Sequence, residues 1–206
     1  MNNYSFIFDV ETTGLIEKDG SNNYYKYTNL VRYENARMIQ ISYEILDKDL
    51  NVIKTENYYI NEVEDIPNTN IHGITLDKLK LEGISFKDFV NYFIEDIKNT
   101  QLIIAHNLTF DLLILLSELY RHNYLDLIQN IKKLKYKCSM KLTTDIIKLP
   151  SKYGKYKYPK LIELYNYTFS KDLKILDNAH NSIYDVQYLR EILIELKNRN
   201  ILDIFN

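Results

Sequence analysis

Residues 6–14 read Phe-Ile-Phe-Asp-Val-Glu-Thr-Thr-Gly, an apolar run that ends in two carboxylates. The alternation and the β-forming residue types predict a strand over Tyr4–Val10. Because residues two apart on a strand share a face, Asp9 and Glu11 should project together, about 7 Å apart along the backbone. Two neighbouring anions are unfavourable here unless a cation binds between them, and oxygen ligands suit a divalent ion. Two solvated acids at a strand end are the alternative interpretation.

The rest of the chain divides into strands and amphipathic helices by its apolar periodicity. The segment Glu11–Asn35 is a polar loop, rich in Tyr and Asn, and long enough to be functional by its length alone. Three leading strands followed by mixed helices and strands predict a single α/β domain with a mixed sheet over residues 1–206. The predicted elements are strands at Met38–Leu46, Val52–Ile60 and Leu102–Ala105, and helices at Phe86–Lys98 (N-cap Ser85), Leu108–Arg121 and Ser182–Asn198.

Composition limits the class of protein but not its chemistry. The chain has 206 residues, 46% of them hydrophobic, which is enough for a sizeable core and excludes disorder. Its 26 basic and 28 acidic side chains give a net charge of −2, which excludes a polybasic protein that binds polyanions by bulk charge. The single cysteine, Cys138, excludes a disulfide framework. With no apolar run of about 20 residues, we expect a soluble, intracellular protein without a membrane partner.

A second acidic position lies in the stretch 106–111, which reads His-Asn-Leu-Thr-Phe-Asp. Asn107 is a plausible N-cap for the helix that follows, and Asp111 lies four residues further on, one turn along the same face. This places a carboxylate beside the positive end of a helix and near a strand terminus. Simple capping with a favourable dipole interaction is the alternative interpretation.

A third acidic position pairs His180 with Asp185. On a continuous helix a five-residue step rotates by about 140°, so these side chains converge only if His180 lies on the loop that enters the helix. Either Ser182 or Asn178 as the N-cap allows that arrangement. A loop histidine near a carboxylate is suited to general-base catalysis near neutral pH, and a surface histidine is the alternative.

Taken together, the three positions resemble the DEDD exonucleases of the ribonuclease H-like fold, the DnaQ-like group that includes polymerase proofreading subunits. Asp9 and Glu11 match the first motif of that family, Asp111 the second and Asp185 the third. The histidine five residues before the last aspartate resembles the DEDDh branch, since the DEDDy branch has a tyrosine where this chain has Asn181. The resemblance implies an α/β fold with a mixed sheet of about five strands, the first three antiparallel.

One departure from the family follows the expected fifth strand. Family members often have an Asp-Thr pair there, and this chain has Cys138-Ser139-Met140. That pair supports packing more than metal binding, so the expected activity is unchanged.

The resemblance implies a metal-dependent exonuclease with two Mg²⁺ or Mn²⁺ ions in its site. Asp9 would then bridge both ions, Glu11 and Asp185 would complete the first ion's ligands, and Asp111 would hold the second, mainly through water. His180 would take a proton from the attacking water.

The implied substrate is a nucleic acid with a free 3′ end, DNA before RNA, and the products are nucleoside 5′-monophosphates. An RNA exonuclease of the same branch is the alternative, and an inactive nucleic-acid-binding or interaction module with the same fold is a more remote one. Because the chain is too short to include a polymerase, proofreading would need a polymerase partner chain. The sequence predicts no oligomeric state.

Residues that follow the motifs are the predicted substrate contacts. Thr12, Thr13 and Leu15 correspond to positions that touch the terminal nucleotide in the family, and Leu15 would wedge against its base, or else belong to the core. Asn107 and His72, from a segment that resembles the family's His-Gly-Ile-Thr sequence, would lie near the 3′-terminal nucleotide. His72 is equally a candidate for capping its loop.

The segment Lys132–Lys160 holds ten lysines, four tyrosines and a single acid, Asp145. Lysines bind phosphates and interleaved tyrosines stack on exposed bases, so Lys155 and Lys157 are predicted substrate contacts. A solvated, lysine-rich surface is the alternative interpretation.

Overall fold

Five strands form one mixed sheet in the computed structural model, which describes residues 4–152, 154–176, 178 and 180–205. The sheet order is β3-β2-β1-β4-β5, with β3, β2 and β1 antiparallel and β1, β4 and β5 parallel. The predicted α/β class and the antiparallel pairing of the first three strands are therefore confirmed. The strands are β1 Tyr4–Thr12, β2 Met38–Leu46, β3 Val52–Tyr59, β4 Thr100–Ala105 and β5 Lys135–Cys138.

Helices cover both faces of this sheet. The N-cap of α3 is Ser85, as predicted, and its side chain accepts a hydrogen bond from the backbone N–H of Asp88 at 3.1 Å. Within the described residues no helix is both long enough and apolar enough to cross a membrane. The helices are α1 Thr69–His72, α2 Leu76–Glu82, α3 Phe86–Ile97, α4 Leu108–Arg121, α5 Leu125–Ile131, α6 Ser139–Ile147, α7 Leu161–Phe169 and α8 Ser182–Asn198.

Alternation along β1 builds the two halves of the core. Phe6 and Phe8 face α3 and α4, and Phe6 stacks on Tyr43 with ring centroids 4.7 Å apart. Ile7 points to the opposite face, where it packs with Val186 of α8. Because both faces of β1 are covered, this strand is a rigid support for whatever its C-terminal end carries.

Some boundaries differ from those predicted. Strand β1 continues through Thr12 instead of ending at Val10, with an irregularity in the pairing after Glu11. The segment predicted as a continuous loop to Asn35 contains a short 3₁₀ helix at Leu30–Tyr33. Shorter shifts affect β3, β4 and α3, which is usual for element ends.

The predicted N-cap of the last helix is wrong, although the bounds of α8 are as predicted. The N-cap is Asn181 rather than Ser182 or Asn178. Ser182 is buried, and its hydroxyl lies 2.6 Å from the hydroxyl of Ser42 on β2. The side chain of Asn181 accepts a hydrogen bond from β2 as well, so both side chains hold the helix start against the sheet.

Candidate active site

Three carboxylates converge at the C-terminal end of β1. Asp9 and Glu11 lie two residues apart on that strand, and Asp185 comes from the first turn of α8. One carboxylate oxygen from each residue lies within 4.8 Å of the others. The structure thus brings together three of the four acids that the sequence singled out, from segments more than 170 residues apart.

The fourth acid, Asp111, approaches from the other side of β1. It lies in the first turn of α4, is 3% exposed, and accepts a hydrogen bond from the backbone N–H of Val10 at 3.3 Å. Asn107 is the N-cap of α4, as predicted, but it holds a left-handed backbone with φ of 69° and its side chain makes no capping hydrogen bond. The turn that places Asp111 is therefore made by the backbone of Asn107.

Burial disfavours the ionised form of all four acids, and repulsion from neighbouring carboxylates adds to this for Asp9, Glu11 and Asp111. Burial, followed by the negative charges of Asp185 and Asp111, raises the pKa of Glu11 to about 9. Burial raises the pKa of Asp111 to about 8 against the hydrogen bond from the Val10 backbone. The pKa of Asp9 also lies well above its usual value, because of burial and then the charges of the other three carboxylates.

Such a cluster fits a divalent cation. Carboxylates whose oxygens lie this close repel one another unless a positive charge separates them. An all-oxygen donor set suits Mg²⁺ or Mn²⁺ better than zinc, which prefers sulfur and nitrogen ligands. The donor chemistry therefore agrees with the cation expected from the sequence.

His180 lies on the loop before α8, as its pairing with Asp185 required. Its side chain is exposed, and its backbone holds a left-handed conformation with φ of 64°. Burial raises the pKa of Asp185 to about 6, while the nearby His180 and a hydrogen bond from its backbone act in the opposite direction. The imidazole is thus beside the carboxylate cluster and open to solvent, where a proton can be exchanged.

A buried polar network behind this loop was not predicted from the sequence. Gln40 and Ser42 are the β2 partners of Glu11 and Asp9, and both reach the start of α8. Asn57 on β3 accepts hydrogen bonds from both side chains, at 2.8 Å and 2.9 Å. Predicting this network would have required the register of β1 against β2, which the sequence alone does not reveal.

His106, next to the second acidic position, forms hydrogen bonds that hold neighbouring segments together. Its Nε2 lies 2.9 Å from the carbonyl oxygen of Pro159, which can only accept, so Nε2 carries the proton and Nδ1 accepts from the hydroxyl of Ser139 at 3.0 Å. Burial lowers its pKa to about 4, so the ring is neutral. Through this hydrogen bond Ser139 holds His106 in place at the end of β4. Family members often have an Asp-Thr pair in this part of the chain.

The predicted contacts after the first motif shape a neighbouring groove of about 560 Å³. A Cβ on Gly14 would lie 2.5 Å from the carbonyl oxygen of Asn35, so only glycine fits this close approach. The turn leaves Leu15 80% exposed, which shows that its assignment to the core is wrong. The hydroxyls of Thr12 and Thr13 hold the turn. That of Thr12 donates a hydrogen bond to the carbonyl oxygen of Gly14 at 2.6 Å, and that of Thr13 accepts one from the backbone N–H of Arg37 at 2.9 Å.

His72 caps its own loop and also lies near the site. Its Nδ1 accepts a hydrogen bond from the backbone N–H of Ile74 at 3.1 Å, which is the capping role considered from the sequence. Burial, and then the charge of His180, lowers the pKa of His72. The capping role of His72 is therefore seen in the structure, and its contact with substrate stays a prediction.

The lysine-rich segment does not form one surface. Lys157 forms an ion pair with Glu163, and Lys155 is exposed. Lys160 lines a pocket of about 340 Å³ together with His180 and Asp185. By contrast, other lysines of the segment lie with Tyr4 at the opposite end of the sheet; these are Lys135 and Lys137.

The sequence matches the family model RNase_T, described as an exonuclease family, over residues 6–193. The chain therefore belongs to this exonuclease family, and its fold is the ribonuclease H-like fold of the DnaQ-like group. A comparison with curated protein sequences gives no match.

Solved structures of exonuclease I are similar in fold. The E. coli enzyme in complex with a dT13 oligonucleotide superposes with a TM-score of 0.68 at 18% identity, covering 96% of this chain and 42% of that one. A moderately thermophilic exonuclease I from Methylocaldum szegediense gives a TM-score of 0.67 at 17% identity, covering 99% of this chain and 42% of that one. The chain thus spans about two fifths of the length of these structures.

Proposed function

We propose that this protein is a DEDDh-type 3′–5′ exonuclease that releases nucleoside 5′-monophosphates from DNA. The observation that carries the proposal is the convergence of Asp9, Glu11 and Asp185 within 4.8 Å, with His180 on the adjoining loop. Membership of an exonuclease family supports the reaction class.

Each side chain has a distinct role in this proposal. Two Mg²⁺ or Mn²⁺ ions, when bound, would stabilise the attacking and leaving oxygens at phosphorus. Asp9, Glu11 and Asp185 would hold one ion, and Asp111, whose charge also acts on Asp9, would help to hold the second. His180 accepts the proton of the attacking water, since it is exposed at the edge of the cluster.

The groove beyond Leu15 supports an enzyme that acts at chain ends. Arg37 lines it but is engaged in an ion pair with Glu118, whose Oε1 lies 2.6 Å from Arg37 Nε. A phosphodiester chain that continued past the terminal nucleotide would run into negative charge. The acids that line this groove are Glu34, Glu62, Glu64 and Asp65.

DNA is the proposed substrate because the chain is similar in fold to exonuclease I structures that contain oligodeoxynucleotides. An RNA exonuclease of the same branch is the alternative to be separated by experiment. A polymerase partner chain stays a prediction of the sequence.

The test is a panel of 5′-labelled substrates: single-stranded DNA, mismatched duplex DNA and RNA, each with Mg²⁺, Mn²⁺ or EDTA. We expect stepwise shortening from the 3′ end of DNA with either metal and none in EDTA. Asp9→Asn should abolish the shortening, whereas Asp126→Asn, at an exposed site on α5, should not. Wild-type turnover by Asp9→Asn would contradict the metal assignment, and faster shortening of RNA would favour the alternative.

A further inference from the structure

A second groove, of about 720 Å³, lies beside the carboxylate site and is lined by aromatic and basic side chains. One wall is formed by residues 22–28 of the long loop after β1, including Tyr24 and Tyr27. The other walls are Thr109 and Leu113 of α4 and Lys132, which follows α5. We call it the tyrosine groove. Its volume falls within the range of about 300–1,000 Å³ typical of sites that enclose a small organic group.

The loop that forms this groove is held in place by the fold. Tyr33 is fully buried, and its hydroxyl donates a hydrogen bond to the carbonyl oxygen of Tyr25 at 2.7 Å. The carboxylate of Asp19 accepts from the backbone N–H groups of Ser21 and Asn23, both at 2.9 Å. A ligand would therefore meet a loop whose backbone is already ordered, which lowers the entropy lost on binding.

The tyrosine groove adjoins the second acidic position. The ring of Tyr24 packs against Phe110, with centroids 6.5 Å apart, and Phe110 directly precedes Asp111. Burial, and then the negative charge of Asp111, raises the pKa of Tyr24, which places its hydroxyl in the electrostatic field of the cluster. The tyrosine groove thus begins beside the turn of α4 that carries Asp111.

The charge of the tyrosine groove suits a polyanion. Among the described residues that line it, none is acidic, and Lys26 and Lys132 are exposed. The ammonium of Lys132 lies 5.1 Å from the centroid of the Tyr27 ring. The groove beyond Leu15, in contrast, is lined by four acids. Of these two grooves, phosphates are attracted only to the one that contains the tyrosines.

We propose that the tyrosine groove binds the unpaired nucleotides that precede the scissile bond, with bases against Tyr24 and Tyr27 and phosphates near Lys26 and Lys132. This inference rests on the proposed exonuclease function, since that function places the 3′ end at the carboxylates. Stacking on aromatic side chains requires bases that are free of a complementary strand. The groove therefore makes single-stranded DNA the favoured substrate class.

The test compares Tyr27→Leu and Lys132→Gln with the wild type and with Tyr92→Leu, a matched control at a 55% exposed tyrosine on α3. Binding of 5′-fluorescein-labelled dT10 is measured by anisotropy in EDTA over a range of salt concentrations. We expect each groove variant to raise Kd about 5- to 150-fold, as stacking worth about 1–3 kcal/mol per base implies for Tyr27→Leu. Lys132→Gln should also reduce the slope of log Kd against log salt concentration by the amount expected for about one phosphate contact.

Turnover in Mn²⁺ separates this inference from the proposed function. KM for dT10 should rise in both groove variants at little-changed kcat, whereas KM for a blunt duplex, whose bases are paired and cannot stack on the tyrosines, should not change. If wild-type protein hydrolyses dT10 but the variants match it in Kd and KM, the groove does not bind the strand and the proposal is wrong. A protein partner is then the other candidate for the groove. If the wild type binds dT10 and the variants lose that binding while no substrate is hydrolysed, the groove binds single-stranded DNA, but the proposed exonuclease function fails and with it the place of the groove before a scissile bond. Should Tyr27→Leu unfold by circular dichroism, the exposed Lys132→Gln decides alone.

Discussion

Gln40 Nε2 lies 3.1 Å from Asn181 Oδ1, so a fully buried side chain of β2 donates a hydrogen bond to the residue that joins His180 to helix α8. Gln40 is also the cross-strand partner of Glu11. Gln40, 141 residues away from Asn181 along the chain, therefore links the strand that carries the carboxylates to the loop that carries the histidine.

The first prediction concerns this link. Gln40→Glu keeps the shape of the side chain but removes the Nε2 donor, so we expect the loop with His180 to shift. A displacement of about 1 Å can lower turnover about 10²-fold, and we expect that loss in kcat with KM nearly unchanged. Gln101→Leu, at an exposed position of β4, is the control and should match the wild type. A rise in KM with unchanged kcat would show that Gln40 does not position the loop.

The acidic residues of the site were predictable from sequence because their geometry is local. The two-residue period of a strand places Asp9 and Glu11 on one face, and a helix start places Asp111 one turn below its N-cap. The fold class followed from the same periodicity, since three alternating segments precede the helices. Family resemblance then joined the three positions, and the structure brings the first and third together at one end of β1, with Asp111 bound to the backbone of Val10 beside them.

The other parts of the site depend on contacts that no local pattern encodes. The network of Gln40 and Asn181 needs the register of β1 against β2 and the docking of α8. Leu15 is an apolar residue whose exposure results from the close approach of Gly14 to Asn35. The lysine-rich segment looked like one surface by composition, yet β5 carries part of it to the far end of the sheet.

The second prediction concerns the general base. His180→Ala should lose most of the activity at pH 7, by about 10²- to 10⁴-fold, because no other side chain takes the proton of the attacking water in the proposed reaction. The thermal shift on adding Mg²⁺ should persist, because the four carboxylates are unchanged. Turnover with labelled single-stranded DNA measures the first effect and differential scanning fluorimetry the second. A variant with the full rate at pH 7 would remove His180 as the base.

The third prediction links pH and metal to stability. In metal-free protein the folded state holds protons on Asp185, Asp111 and Glu11 up to about pH 6, 8 and 9, whereas the unfolded chain releases them near pH 4. These groups therefore destabilise the fold progressively as pH rises from about 4 to about 9, and contribute no penalty below pH 4. We expect Glu11→Gln to raise Tm by several degrees at pH 8 in EDTA and much less at pH 4.

Bound Mg²⁺ should instead favour the wild type over Glu11→Gln in Tm. Added at pH 8, it should raise the Tm of the wild type more than that of Glu11→Gln, because the variant has lost a ligand. Scanning calorimetry at both pH values, with and without the metal, gives the four comparisons. Equal Tm values for wild type and Glu11→Gln in EDTA at pH 8 would mean that repulsion within the cluster does not limit stability.

The fourth prediction concerns the turn that shapes the groove beyond Leu15. In Gly14→Ala the new Cβ would lie 2.5 Å from the carbonyl oxygen of Asn35, a backbone atom that cannot move without displacing the turn. We expect a loss of about 1–3 kcal/mol in the free energy of unfolding, as for other overpacked positions. Gly20→Ala is the matched control, because no atom lies within 4 Å of its Cβ position. Urea unfolding measures both, and since Leu15 moves with the turn, KM for single-stranded DNA should rise in Gly14→Ala only.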